Sequence, residues 1–214
     1  MAEVRLFQPE DLDALYEISL ATGLAGGDAA HLYEDKRLIG HIYSAPYALL
    51  DPGLALVAVD TEGVGGFVVG THDTKAWEDR LDRDWWPVLR ASYDPPAGDD
   101  ASAMSPEQQR IYRIFHPERT PVQVAESYPA HLHMNLLPRL QNQGVGLRLL
   151  DNWLQAARKR DVEAVHVAVN RANTRGIRFW SKHTFVEIPA GEPAGRKVWM
   201  GRKEIGSADA VDSN

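Results

Sequence analysis

The chain has 214 residues, 44% hydrophobic and 25% charged, with 17 Gly, 13 Pro and no Cys. Length and composition suit one folded domain with a proper core and exclude collagen, coiled coil and wholesale disorder. The absence of cysteine excludes a disulfide scaffold, a thiolate zinc site and an acyl-cysteine intermediate, while a net charge of −7 disfavours nucleic acid and anionic membranes and mildly favours a cationic partner such as an amine.

The acidic opening MAEVRLFQPEDLDALYEI lacks the basic and apolar regions of a signal peptide. No apolar run approaches the about 18–20 residues of a membrane span, so a cytoplasmic location is expected. Val4–Phe7 alternates as a strand, and Pro9-Glu10-Asp11 starts a helix over 9–21 with Leu12, Leu15 and Tyr16 at helical spacing. Gly23–Gly27 breaks it, and a second helical stretch over about 30–44 precedes Pro46. Leu54–Asp60 and Gly65–Gly70 read as strands joined through Thr61-Glu62-Gly63, a hairpin composition. Residues 71–126 change character: Trp77, Trp85 and Trp86 lie among acids and arginines, Asp94–Ala103 is a loop, and Pro106–Phe115 is a helix. We read this segment as a helical insertion between two strands of one sheet, its tryptophans packed in the interior. His131–Leu137 is a strand ended by Pro138, and a glycine turn, Gln141–Gly146, opens a helix over 146–160. Ala164–Val169 suits a strand buried on both faces, Asn173–His183 a helix, and Phe185–Ile188 and Lys197–Gly201 closing strands. The predicted organisation is one α/β domain over 1–203 with the insertion at 71–126, and a disordered tail over 204–214.

The turn Gln141-Asn142-Gln143-Gly144-Val145-Gly146 lies between a strand and a helix, where backbone N–H groups and the helix dipole can hold a pyrophosphate. A generic tight turn would also need glycine. There is no G-x-x-x-x-G-K-[ST] and no G-x-G-x-x-G, which excludes the P-loop and the Rossmann fingerprint.

The turn is similar to the [QR]-x-x-G-x-[GA] motif of the GNAT acetyltransferase family. Asn173-Thr174-Arg175-Gly176-Ile177-Arg178-Phe179-Trp180-Ser181-Lys182-His183-Thr184-Phe185 resembles that family's N-x-x-A-x-x-F-Y-x-K-x-G-F. The opening strand followed by Pro9-Glu10-Asp11-Leu12 is similar as well. Within the superfamily, Ser127–Pro138 and the long insertion resemble the acetyltransferase-like domain of O-GlcNAcases and free-standing bacterial relatives, without a glycosidase domain. The resemblance implies a mixed, twisted sheet of about six to seven strands flanked by helices and splayed between its two central parallel strands. It also implies acetyl-CoA as the cofactor and an unidentified amine as acceptor, with residues 71–126 shaping the acceptor site; a homodimer is compatible with it.

On that resemblance, pantetheine pairs with the backbone of Leu136 and Leu137, Gln141 opens the motif, and the amides of Gln143, Gly144, Val145 and Gly146 hold the pyrophosphate. Asn173 bonds the pantetheine arm, and Arg148 and Arg178 are within reach of phosphates. Transfer is by direct attack of a neutral amine on the thioester in a ternary complex. His131, His133 and Asn135 share a strand face. Asn135 cannot act as a base and His133 is the best candidate, although a hydrogen-bonded sheet histidine is the competing account. The position of the family's frequent acid, a Tyr, is Trp180, leaving Tyr128 as a substitute donor. Thr184 replaces a family Gly. These departures keep open an alternative: a catalytically degenerate acetyl-CoA-binding module whose insertion contacts a partner. A three-histidine metal set of His131, His133 and His166 is conceivable, but no carboxylate obviously orients the rings and no metal is expected.

Overall fold

The computed structural model describes residues 2–98, 100–190 and 195–205. Strands β1 (Glu3–Leu6), β2 (Ala55–Asp60), β3 (Gly63–Thr71), β4 (Ala130–Leu136), β5 (Val165–Asn170), β6 (Val186–Glu187) and β7 (Lys197–Arg202) form one sheet in the order β1-β2-β3-β4-β5-β7-β6. Only β4 and β5 are parallel neighbours. The helices among the described residues are α1 (Leu12–Ala21), α2 (Leu38–Tyr43), α3 (Ala45–Leu50), α4 (Thr74–Asp84), α5 (Trp86–Arg90), α6 (Pro106–Phe115), α7 (Val122–Ser127), α8 (Val145–Arg158) and α9 (Thr174–Lys182). The seven-stranded mixed sheet and the hairpin follow the sequence expectation. The helix expected over 30–44 is instead a 3-10 turn at Ala30–Leu32 followed by α2, and Pro46 belongs to α3. It sits in the first turn of α3, where its missing N–H has no intrahelical bond to lose.

Strand alternation sends apolar side chains to both faces, and each face is covered. On one, Leu149, Leu150, Trp153 and Leu154 of α8 pack on Leu56, Val68, Leu132 and Val167. Trp153 is fully buried, and its indole N–H donates to the Leu54 carbonyl at 3.1 Å. On the other face, Leu15 and Ile18 of α1 and Leu38 of α2 pack on Val57, Phe67 and Val69, together with Trp77, Leu81, Trp86, Leu89 and Ile114 of the insertion. The insertion is therefore part of the second core, which explains its tryptophans.

Helix α9 ends in a Schellman pattern: the Phe185 amide bonds the Trp180 carbonyl and the Thr184 amide the Ser181 carbonyl. Thr184 holds the left-handed position at φ 65°, where glycine is the unstrained residue. The tail expectation needs correction at its start. Ile205 is fully buried, and its amide bonds the Glu163 carbonyl; the remainder of the expected tail, 206–214, lies outside the described residues. No helix among the described residues is long and apolar enough to cross a membrane.

Candidate active site

The site begins where β4 and β5 part. They pair only at Ala130↔Val165 and His131↔His166, then diverge. The Leu137 amide donates to the Gly65 carbonyl on β3 at 2.8 Å. An antiparallel ladder alternates which residues bond across it, so the main-chain groups of His133 and Asn135 also face β3. Those of Leu132, Met134 and Leu136 face the opening between β4 and β5. The Leu136 amide thus faces the opening, while its carbonyl accepts from the Gln141 side chain at 2.7 Å. Leu137, expected to pair beside it, is turned the other way: its amide is taken by Gly65, and its carbonyl accepts from the Leu140 amide. Met134, which the sequence reading passed over, has its main chain in the opening instead.

At the far end of the opening, Gly144 caps α8 at φ 72°. A Cβ there would meet nothing within 4 Å, so the turn has open space above it. The amides of Val145, Gly146 and Leu147 begin the helix and have no intrahelical carbonyl to bond. Gln141 braces this turn: its amide nitrogen holds the Leu136 carbonyl and its oxygen accepts from Arg175 at 2.5 Å. The Gln143 side chain folds back onto the Arg139 carbonyl at 2.6 Å, leaving its backbone in the turn. Asn173 caps α9 by accepting from the Gly176 amide at 2.8 Å, while its Nδ2 has no hydrogen-bond acceptor among the described residues and the residue lines the cavity. Arg148 is bonded to the Ala2 carbonyl at 3.0 Å, and Arg175, through its bond to Gln141, stands beside the turn. The first-turn amides, the open space over Gly144 and the Asn173 donor fit an anionic, amide-bearing cofactor.

A cavity of about 440 Å³ runs beside β4 and β5 and is lined also by residues of α1 to α6, α9 and β7. His133, Tyr47 and His131 line it, and their hydrogen bonds fix one another's protons. The Thr74 hydroxyl donates to the Pro129 carbonyl at 2.7 Å, because a carbonyl can only accept. His131 Nδ1, at 2.7 Å, therefore donates to Thr74 Oγ1, and its Nε2 accepts from the Tyr47 hydroxyl, also at 2.7 Å. The Tyr47 oxygen is then left to accept from His133 Nε2 at 3.2 Å. This assignment, which satisfies every contact at once, leaves His133 Nδ1 as an unprotonated nitrogen.

Burial keeps all three rings neutral. It holds His131 well below its ordinary value, helped by the neighbouring His166 and His133. It lowers His133 to about 4, with His166 and Lys197 adding to the effect. It lowers His166 to about 4 against the pull of the Tyr128 and Ala130 carbonyls. Burial also raises the Tyr47 phenol, so Tyr47 stays a donor. Tyr47 and Thr74 engage both nitrogens of His131, Tyr47 also takes His133 Nε2, and the Tyr128 carbonyl accepts from His166 Nδ1 at 2.7 Å.

The insertion supplies the opposite wall. Arg110 and Arg113 of α6 both donate to the Tyr43 hydroxyl, at 2.9 and 3.2 Å. Glu118 pairs with Arg113 at 2.7 Å and with Lys197 at 2.5 Å. Burial alone would raise the Tyr43 phenol; Arg110, Arg113 and Lys197 outweigh it and bring it below its ordinary value. These residues come from three distant segments, and nothing in their local spacing marks them as one cluster. Asn135 lines the cavity and donates to Thr22 at 2.6 Å. Trp180 is 7% exposed and also lines it. Tyr128 is not among the lining residues: its ring lies over Gly201, where a Cβ would approach it to 2.4 Å, with the Lys203 ammonium 5.4 Å from its centre. Its expected role as a donor in the opening is not supported by that position.

A model described as the acetyltransferase (GNAT) family matches residues 111–185. The crystal structure of SsHAT superposes with a TM-score of 0.87 at 33% identity, covering 95% of this chain and 98% of that one. Protein O-GlcNAcase of Rattus norvegicus is 23% identical over 192 residues, 86% of this chain and 20% of its own. The chain thus spans about a fifth of that relative's length. PaiA N-acetyltransferase from Thermoplasma acidophilum, solved in complex with coenzyme A, shares the fold at 16% identity and a TM-score of 0.57, over 95% of this chain and 99% of that one. Given the parted central strands, the glycine-capped helix at their end and the near full-length match to SsHAT, this chain belongs to the GNAT acetyltransferase family.

Proposed function

We propose that the protein is an N-acetyltransferase that binds acetyl-CoA in the opening between β4 and β5 and transfers the acetyl group to a primary amine by direct attack. The observation that carries this reading is the join of two features: strands that stop pairing after two residue pairs, and first-turn amides with no intrahelical partner beside a left-handed Gly144. The coenzyme A held by the PaiA enzyme supports the choice of cofactor. Amides of the 143–146 turn would hold the pyrophosphate, and the Leu136 amide and Asn173 Nδ2 the pantetheine arm. When bound, the group supplies an acetyl thioester, an activated acyl donor.

The chain's own residues then have three tasks. The Met134 and Leu136 amides point into the opening and can take the carbonyl oxygen as negative charge grows on it. His133, held by Tyr47 with Nδ1 unprotonated, can take the proton that the amine loses on attack. A ring with a pKa of about 4 is a weak base, but the attacking nitrogen becomes strongly acidic as its bond to carbon forms. Lys197 and the Arg110–Arg113 pair disfavour an ammonium ion nearby, so an amine enters more readily in its neutral, nucleophilic form. No acid is required at Trp180, because a thiol of pKa about 8.5 leaves acceptably as the thiolate.

The test is release of free thiol from acetyl-CoA with a panel of primary amines, with the acetylated amine identified by mass. Amine-dependent release supports the proposal. Tight acetyl-CoA binding with no release for any amine favours the degenerate binding module, to which the indole at Trp180 and the amide at Asn135 would then belong.

A further inference from the structure

Resting on that reading of the cavity as the acceptor side, we infer that the acceptor carries a carboxylate beside the amine it presents, and that Arg110 receives it. The cavity's charge is opposite in sign to the chain's. Arg113 and Lys197 share one carboxylate, Glu118. Arg110, one helical turn before Arg113 on the same wall, has no carboxylate within ion-pair distance among the described residues. Its guanidinium donates only to the hydroxyls of Tyr43 and Tyr33, at 2.9 and 3.4 Å. The other lining carboxylate, Glu78, faces Arg119 at 3.7 Å and accepts from the Thr120 amide at 2.8 Å. Arg119 is itself matched by Asp79 and Asp82. Arg196, an exposed residue, also lines the cavity, so four cations, Arg110, Arg113, Arg196 and Lys197, stand against Glu118.

The hydrogen-bond inventory points the same way. The Tyr43 oxygen accepts from both Arg110 and Arg113, which fills its lone pairs, and its own proton has no acceptor among the described residues. The Trp77 indole N–H, buried in a residue that lines the same cavity, has none either. A half-buried guanidinium without a counterion, together with donors that lack acceptors, is costly in an empty site and is satisfied by an anion. A carboxylate accepts a guanidinium fork and a phenol at once, which an ammonium or an alkyl chain cannot do. The acceptor expected from net charge alone was cationic; the wall that would meet it selects for an acidic amine instead.

The experiment titrates matched probes into coenzyme A-saturated protein by calorimetry. One pair is L-phenylalanine and L-phenylalaninamide; the other is a short peptide with its lysine flanked by glutamate or by glutamine. The acid member of at least one pair should bind tenfold or more tighter than its amide. That preference should fall to within about twofold in Arg110→Met and recover in part in Arg110→Lys, with coenzyme A affinity unchanged in both. The pair that shows the preference tells a free amino acid from an acidic peptide. Equal binding of acid and amide in both pairs, tighter binding of the amides, or a preference that survives Arg110→Met overturns the inference. Failure of coenzyme A to bind overturns the reading beneath it, and does so in a separate measurement.

Discussion

Three histidines held neutral by burial make the fold sensitive to mild acid. His166 is 2% exposed and carries a folded-state pKa of about 4, against about 6.5 when unfolded. The unfolded chain therefore binds the proton that the native ring refuses. Stability from this group is complete above pH 6.5 and is lost as pH falls through the window from 6.5 towards 4. At pH 5 the ring lies about 1.5 units inside that window, a loss of about 2 kcal/mol at about 1.4 kcal/mol per unit. His133 has the same folded-state value but is partly open to the cavity, so it adds less; His131 and His41 push in the same direction. A total drop of about 3–4 kcal/mol between pH 7.5 and pH 5 follows, a large part of the roughly 5–15 kcal/mol of a typical domain. The lowered carboxylates, such as Asp11 beside Arg5, lose their contribution only at lower pH. Urea unfolding at pH 7.5, 6.5, 5.5 and 5.0 measures the slope directly, and His166→Gln should flatten it by about one proton. A change of less than about 1 kcal/mol over this range would refute the assignment of buried neutral rings.

Tyr47→Phe removes the hydroxyl between His131 and His133; about 1–3 kcal/mol of stability should be lost for each ring nitrogen left without a partner. If turnover is present, its rate should fall at least tenfold while the KM for acetyl-CoA stays unchanged, and an unaltered rate would remove His133 from the proposed chemistry. Thr184→Gly relieves a β-branched residue at φ 65° and should stabilise by about 1 kcal/mol, seen as a higher Tm; a lower Tm would mean that the threonine hydroxyl bond to the His183 carbonyl outweighs the strain.

The sequence disclosed what its local chemistry determines. The sequence places a helix over Pro106–Phe115, and α6 forms there, with Pro106 at its first position and Ser105 and Gln108 closing a capping box. The Gln141–Gly146 turn was visible because only glycine sits easily at φ 72°. Leu137 was misjudged because which main-chain groups face an opening is set by strand register, here the Gly65 bond, and register leaves no mark in a single strand's composition. The acceptor wall was invisible for a related reason: Tyr43, Arg110, Glu118 and Lys197 are far apart in the chain and meet only when the insertion folds over β4 and β7. Tyr128 stood close to the catalytic strand in sequence, yet it precedes β4 at the paired end, where Gly201 admits its ring. Sequence proximity misplaced it.

The most direct test of the central claim is calorimetric titration of the protein with acetyl-CoA, beside Gly144→Trp. The space over Gly144 is open, so an indole there covers the cradle while adding only the strain of a left-handed non-glycine residue, about 1–2 kcal/mol. The account predicts a micromolar dissociation constant, roughly −8 kcal/mol, lost in a variant that still melts cooperatively. Binding of equal strength in the variant, or no heat at millimolar acetyl-CoA in the parent, would contradict it.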